Sequence, residues 1–361
     1  MRRPDIPVLT TLRFPAAMAI VLFHFLVYTP CPRWVWEGFN AGVSFFYVLS
    51  GFILYYNYVD LTDRGFFWIA RFARIWPVHL FSLALAFGLL PFVALDGHAS
   101  WEITLPANIF LLHAWIPFQG SVLGYNGVSW SLSVEAFFYA CFPWLLRLMK
   151  SRGAAPLLTV SLVVAFAIVC LSTILVPRYA LFVWPFNPLT RLFEFVLGMA
   201  ACRWWIRERA ASPSGRGWTG LELSSLAVSG ALVIGAPVVI HAVDAANPVG
   251  YWMGSEISAV AFAATIWIFA HQDGLISRAL SGRVCEWMGE ISFALYMCHQ
   301  ILLRWLDPKP MTDPWVATEF FIPYAVASLA LSAAIFHLVE TPVRRAIVSL
   351  YRRRMPAPVA G

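Results

Sequence analysis

Arg13 and His24 stand eleven residues apart in Leu9-Thr-Thr-Leu-Arg13-Phe-Pro-Ala-Ala-Met-Ala-Ile-Val-Leu-Phe-His24-Phe. Eleven residues make about three helical turns, so both side chains share one face, separated by about 16 Å along the axis. Histidine is the usual general base near neutral pH, and ionisable groups in an apolar run are costly enough to suggest function. A histidine bonded between helices and an arginine reaching to the interface would explain each alone. Arg71-Phe-Ala-Arg74 puts two guanidinium forks on one face, the geometry that grips phosphate; ordinary charge anchoring at a membrane edge is the plainer explanation. Ser129-Trp130-Ser131-Leu132-Ser133-Val134-Glu135 opens another apolar run, and a carboxylate there would be expensive unpaired. Glu135 could orient a histidine or accept a substrate proton, or pair across helices with Arg191. Arg191 and Glu194, at i and i+3, could equally satisfy each other.

Lesser candidates follow. His299 lies at a depth that could match His24, although interhelical packing would also account for it. His113, in a short apolar stretch, could touch a substrate. His79 reads as an inner-edge residue, and Glu256 and Glu340 sit near the ends of apolar runs. Ser50-Gly51 and Gly38-x-x-x-Gly42 read as close-packing sites. No His, Cys and carboxylate spacing suggests a metal, and neither a Gly-rich phosphate loop nor a G-x-S-x-G elbow is present.

The elements that must position these residues are membrane helices. Of 361 residues, 60% are apolar and 12% charged, against about 45–50% and about 25% in ordinary soluble domains. That excludes a soluble enzyme and also a disordered chain. Ten apolar segments are long enough to span a bilayer: 8–28, 40–59, 76–95, 130–149, 156–176, 180–202, 221–241, 252–270, 287–306 and 318–340. The stretch 103–118, broken by Pro106 and Pro117, reads as interfacial or re-entrant. The expectation is an all-α polytopic membrane protein with both termini cytoplasmic, a membrane domain over 1–345 and a basic cytoplasmic tail over 346–361. Segment 8–28 carries Arg13 and His24 and leads into further spans, so it reads as a retained helix rather than a signal peptide.

Charge supports that topology. The basic residues are 23 Arg and two Lys. With Arg2 and Arg3 inside, alternation places most of them, including Arg64, Arg147, Arg203, Arg283, Arg344 and Arg352, on the inner side. The net charge of +6 is thus spread over short inter-span segments and does not suggest a nucleic-acid partner. The six cysteines form no C-x-x-C pair and read as reduced, apolar fillers.

The sequence resembles integral-membrane acyltransferase family 3. The matching stretches are LTTLRFPAAMAIVLFHF at 9–25, GVSFFYVLSGFIL at 42–54, RFARIWPVHL at 71–80, VSWSLSVEAFFYACFPWLL at 128–146, RLFEFVLGMAA at 191–201, ISFALYMCHQILL at 291–303 and VETPVRR at 339–345. The resemblance implies ten core helices in the plasma (inner) membrane. It also implies transfer of an acyl group, usually acetyl, from cytosolic acyl-CoA to a hydroxyl of a surface glycan or lipid-linked sugar, with no permanently bound cofactor. Carried over, Arg13 and His24 match the essential Arg-x10-His pair, Arg71 and Arg74 the inner Arg-x-x-Arg pair, and Glu135 the acid of W-S-L-x-V-E. Thr10-Thr11 and Ser44 depart from the Asp-Gly and Asp found in many members, which suggests a sub-branch. On this reading His24, Glu135 and Arg13 are the catalytic candidates and Arg71, Arg74 and Arg13 hold the donor. His299, Trp130, Ser131, Arg191, Glu194 and His113 are further candidates. A transporter with charged residues along its path, a glycan-binding helper subunit, and an acyltransferase for a small acceptor such as a macrolide sugar are the alternatives. Oligomeric state is not legible.

Overall fold

The computed structural model describes residues 4–90, 100–211, 217–244 and 248–354; Arg2, Arg3, Arg216 and the tail beyond 354 lie outside them. Within these limits the chain is helical and holds no strand. Eight helices are long and apolar enough to cross a membrane. They are α1 (Pro7–Leu26), α2 (Gly42–Tyr58, entered through the short helical turns of 33–41), α3 (Arg64–Leu89), α4 (Trp130–Arg152), α5 (Ala155–Leu175), α7 (Trp218–Asp244), α8 (Pro248–Phe269) and α10 (Pro314–Ile335). Two more helices, α6 (Leu192–Ala211) and α9 (Arg283–Leu306), are as long but carry more charge. Together they correspond to the ten segments expected from the sequence.

Helix limits differ from the sequence expectation where proline or polar residues intervene. The sixth segment was expected from 180, but Pro177–Phe186 forms a separate short helix and α6 begins only at Leu192, after Asn187-Pro188. Arg191 therefore precedes α6 instead of lying inside it. The third helix starts at Arg64 rather than 76, because Asp63 caps it by accepting a hydrogen bond from the Phe66 N–H at 2.8 Å. Arg71 and Arg74 thus lie within α3. The chain turns at Leu12 in α1, where Pro15 cannot supply the N–H that the Thr11 carbonyl would accept. This break precedes Arg13, so Arg13 and His24 share an uninterrupted helix.

The bundle is centred on α2, most of whose residues are buried. Gly51 and Gly198 allow α2 and α6 to touch through their backbones: a methyl at Gly51 would overlap the Phe195 carbonyl, and one at Gly198 the Val48 carbonyl. Gly38 and Gly42 likewise abut Val233 and Ala16, so both glycine readings hold. Gly198→Ala should cost about 1–3 kcal/mol through overpacking, seen as a lower thermal midpoint in detergent. Gly230→Ala, whose methyl meets nothing within 4 Å, should leave the midpoint in place.

Residues 100–129 fold into short helices over the end of the bundle that carries His24. His79 Nε2–H donates to Asn108 O at 2.8 Å, and Trp76 donates to Ile109 O at 3.1 Å. Asn126 Nδ2 donates to Met297 O at 2.9 Å, and Arg304 to Tyr125 O at 2.9 Å. His79 is consequently a fastener for this cap, not an inner-edge residue. At the opposite end a π-turn over Phe336–Glu340 joins α10 to α11 (Thr341–Arg354), which packs along α3. The expected domain limit at 345 falls within α11.

Candidate active site

Two of the cavities between the helices are lined by the candidate residues. The first, about 970 Å³, is lined by Arg13, Arg71, Arg74, Glu135, Ser131 and Tyr139 among apolar residues of α1, α2, α3, α4 and α9. The second, about 1470 Å³, is lined by His24, Trp36, Trp130, Trp184, Arg191 and Gln300 among others. Four helices order the two cavities in the same way. Along α1, Arg13 faces the first cavity and Ile20 and His24 the second; along α9, Phe293 faces the first and Gln300 the second. Antiparallel α2 and α4 run the other way, from Ser44 to Leu54 and from Trp130 to Glu135.

The first cavity is an arginine cluster with too few carboxylates. Arg74 pairs with Glu340, brought to it by the π-turn, and its guanidinium lies 5.2 Å from the centre of the Phe293 ring. Arg71 donates to Tyr58 OH at 3.2 Å and stacks near Tyr58 and Tyr139, while its Nε has no partner among the described residues. Arg13 forms no ion pair among the described residues, with Arg74, Glu340 and Glu135 as its charged neighbours. Glu135 accepts from Ser50 at 3.2 Å and from Tyr139. Three guanidinium groups against two carboxylates leave a cationic, partly apolar chamber able to hold an anion with a long organic tail. Tyr139 is not singled out from the sequence, and Glu340 only as a lesser candidate. Glu340 looked solvated near a span end, and only the π-turn buries it.

In the second cavity, His24 meets His299 and not Glu135. His24 Nδ1 lies 2.9 Å from Ile20 O and 3.1 Å from His299 Nε2, and His299 Nδ1 lies 3.1 Å from Leu295 O. A carbonyl only accepts, so both Nδ1 atoms carry the proton. His299 Nε2 is then an acceptor, and His24 Nε2 keeps a lone pair with no partner among the described residues. Tyr324 OH donates to the His299 carbonyl at 3.2 Å, adding a tie to α10.

The remaining candidates divide between the cavities and the frame. Arg191 pairs with Glu194 at 3.1 Å and donates to Ser255 and Ser44 at 2.8 and 3.0 Å. Of the expected alternatives, the internal Arg191–Glu194 pair is thus the one formed. Trp130 lines the His24 cavity and Ser131 the arginine cavity. His113 lines neither: it is fully buried, with Nε2 3.3 Å from Ser129 Oγ. Burial, reinforced by neighbouring His79, pushes its imidazole down to about 3, so it stays neutral and holds the cap together. An interfacial sequence cannot reveal whether a polar side chain turns inward or outward.

Residues 6–337 match the family model described as an acyltransferase domain, Acyl_transf_3. The chain belongs to acyltransferase family 3. It is an acyltransferase and a multi-pass membrane protein, and the family match displaces the transporter and helper-subunit readings. Among family members it is 28% identical to acyltransferase MdmB of Streptomyces mycarofaciens, over 98% of this chain and 95% of MdmB. It is 25% identical to the putative peptidoglycan O-acetyltransferase YrhL of Bacillus subtilis and 23% to the peptidoglycan O-acetyltransferase OatA of Listeria monocytogenes, over 97% and 95% of this chain. The chain spans little more than half, 56%, of each of these last two relatives. No solved structure matches it.

Proposed function

We propose that this acyltransferase moves an acetyl group from cytosolic acyl-CoA to a hydroxyl of a surface glycan or lipid-linked sugar, with both termini on the cytoplasmic side of the inner membrane. The observation that carries this reading is the pairing of an arginine-lined cavity with a separate cavity holding a histidine whose Nε2 has no partner among the described residues. Arg71 and Arg74 take the CoA phosphates. Arg13, about 16 Å from His24 along the helix, is too far to touch an intermediate formed there and instead holds the polar part of the donor arm. Glu135 shares the donor cavity, where it balances the arginines. The thioester reaches His24, and the acceptor sits among Trp36, Trp130 and Trp184.

Chemistry then needs one proton transfer out and back. His24 Nε2 takes the hydroxyl proton as the oxygen attacks the thioester carbonyl. The C–O bond forms, the C–S bond breaks, and the proton passes from His24 to the departing sulfur. His299 acts through His24: its Nε2 accepts from the Nδ1–H that the Ile20 carbonyl already fixes, and so orients the ring. His299→Ala should lower kcat about 10–100-fold with the acetyl-CoA KM within about threefold, whereas His299→Gln, whose amide oxygen reaches the position of Nε2 and can accept from His24 Nδ1–H, should recover part of that loss. Equal loss in both variants would leave His299 a packing residue.

The function itself is tested by mass spectrometry of surface glycans, lipid-linked sugars and small-molecule extracts from wild type, a deletion and His24→Gln. An acetyl-sized mass lost from glycans in both mutants supports the proposal. Loss only from a small excreted glycoside moves the acceptor to that class. An unchanged glycan in all three strains refutes the reading.

A further inference from the structure

The two cavities share Val43 and Tyr296 in their walls. Both residues are nearly buried, at 3% and 5% exposure. The neighbours of each diverge: Ser44 and Gln300 belong to the His24 cavity, Phe46, Tyr47 and Phe293 to the arginine cavity. The Tyr296 hydroxyl is held at the seam, 2.7 Å from Ser131 Oγ on the donor side and 3.0 Å from Val128 O on the acceptor side. Its ring lies 6.1 Å from that of Phe46 and 6.0 Å from that of His299. A path from the arginines to His24 through this shared wall would run between a β-branched side chain, stiff at χ1, and a tethered phenol.

We infer that Val43 and Tyr296 form the aperture between donor and acceptor cavities and select the acyl group by its cross-section. The inference rests on the acyl-CoA reading above. A pantetheine arm is a linear chain near its thiol, so an opening that admits its amide also admits acetyl or a straight acyl chain. An acyl group branched next to the carbonyl is wider at the leading end and is excluded. Length is thus a weak criterion at this point and branching a strong one.

n-Butyryl-CoA and isobutyryl-CoA separate these effects, since the two acyl groups are isomers differing in width. Membranes carrying the enzyme and the host's own acceptor are supplied with radiolabelled acetyl-, n-butyryl- or isobutyryl-CoA, and label in the extracted glycans is followed. In wild type, isobutyryl transfer should be at least about 30-fold slower than n-butyryl transfer, within the range a shape-selective apolar site achieves. Val43→Ala should narrow that ratio to below about fivefold and leave the acetyl rate within about threefold of wild type. Tyr296→Phe, which unties the ring from Ser131 and Val128 without changing its size, should narrow it in the same direction. Val48→Ala, the same truncation on the same helix but in neither cavity wall, should leave the ratio unchanged and so controls for general loosening.

A wild type indifferent to branching, or a ratio unmoved in both Val43→Ala and Tyr296→Phe, overturns the inference. Label transferred from none of the three donors overturns the acyl-CoA reading and removes the inference with it.

Discussion

His24→Gln is expected to lower kcat for acyl transfer by about 10²–10⁴-fold, the usual contribution of a positioned general base, while the acetyl-CoA KM stays within about threefold. The split follows from the two cavities. The variant lacks an imidazole to accept the hydroxyl proton and return it to sulfur, yet the guanidinium groups proposed to bind the donor lie in the other chamber. Initial rates in proteoliposomes against acetyl-CoA concentration give both constants. A KM rise matching the kcat fall would place His24 in donor binding and refute its assignment as base. Acid quenching of a single turnover with labelled donor adds a second reading. Label retained on wild-type protein and absent from His24→Gln would mean that the histidine carries the acyl group covalently; free product alone fits direct transfer.

The second large effect is expected at Arg74. Removing its guanidinium in Arg74→Ala takes away a proposed donor contact and also strands Glu340, whose side chain is 1% exposed and whose Oε2 has no partner among the described residues. Breaking a buried pair from one side costs about 3–5 kcal/mol, so folded yield and thermal midpoint should both fall. The double variant Arg74→Met/Glu340→Leu removes both charges and should restore the midpoint, since apolar replacements of buried ion pairs are commonly neutral or stabilising. The acetyl-CoA KM should remain raised by at least about tenfold in that double variant, because charge-assisted bonds to phosphate are not replaced by packing. Recovery of both stability and KM would show Arg74 to be purely a partner for Glu340.

Much of this site is legible from single-helix periodicity and far less from pairings between helices. Arg13 and His24 sit on one face because both lie on one uninterrupted helix, and the span count follows from apolar length. The meeting of His24 with His299 could be guessed only from equal depth, since nothing in residues 20–28 names its partner in residues 295–303. Glu135 was a reasonable partner for His24 by residue type, but it lies too far down α4 and faces the chamber of Arg13. Glu340 was discounted because a straight helix would leave it near solvent; the π-turn at Phe336–Glu340 changes its register and carries it to Arg74. In 103–118, read as an interfacial or re-entrant piece, His113 is the one polar side chain offered for substrate contact, since the sequence there shows no helical face. Hydrogen bonds from 100–129 to α3, α4 and α9 set which way its polar side chains turn.

The contacts that complete each chamber join distant parts of the chain: His24 and His299 stand 275 positions apart and Arg74 and Glu340 266. A ribosome therefore inserts the first four helices, with Arg13, His24, Arg71, Arg74 and Glu135 all in place, long before their closing partners exist. During that interval Arg74 has no Glu340, and His24, though bonded to Ile20 O in its own helix, has no His299 to orient its ring. On the proposed chemistry an unfinished chain is thus a poor consumer of acyl-CoA, and competence arrives late in synthesis, with the last two long helices.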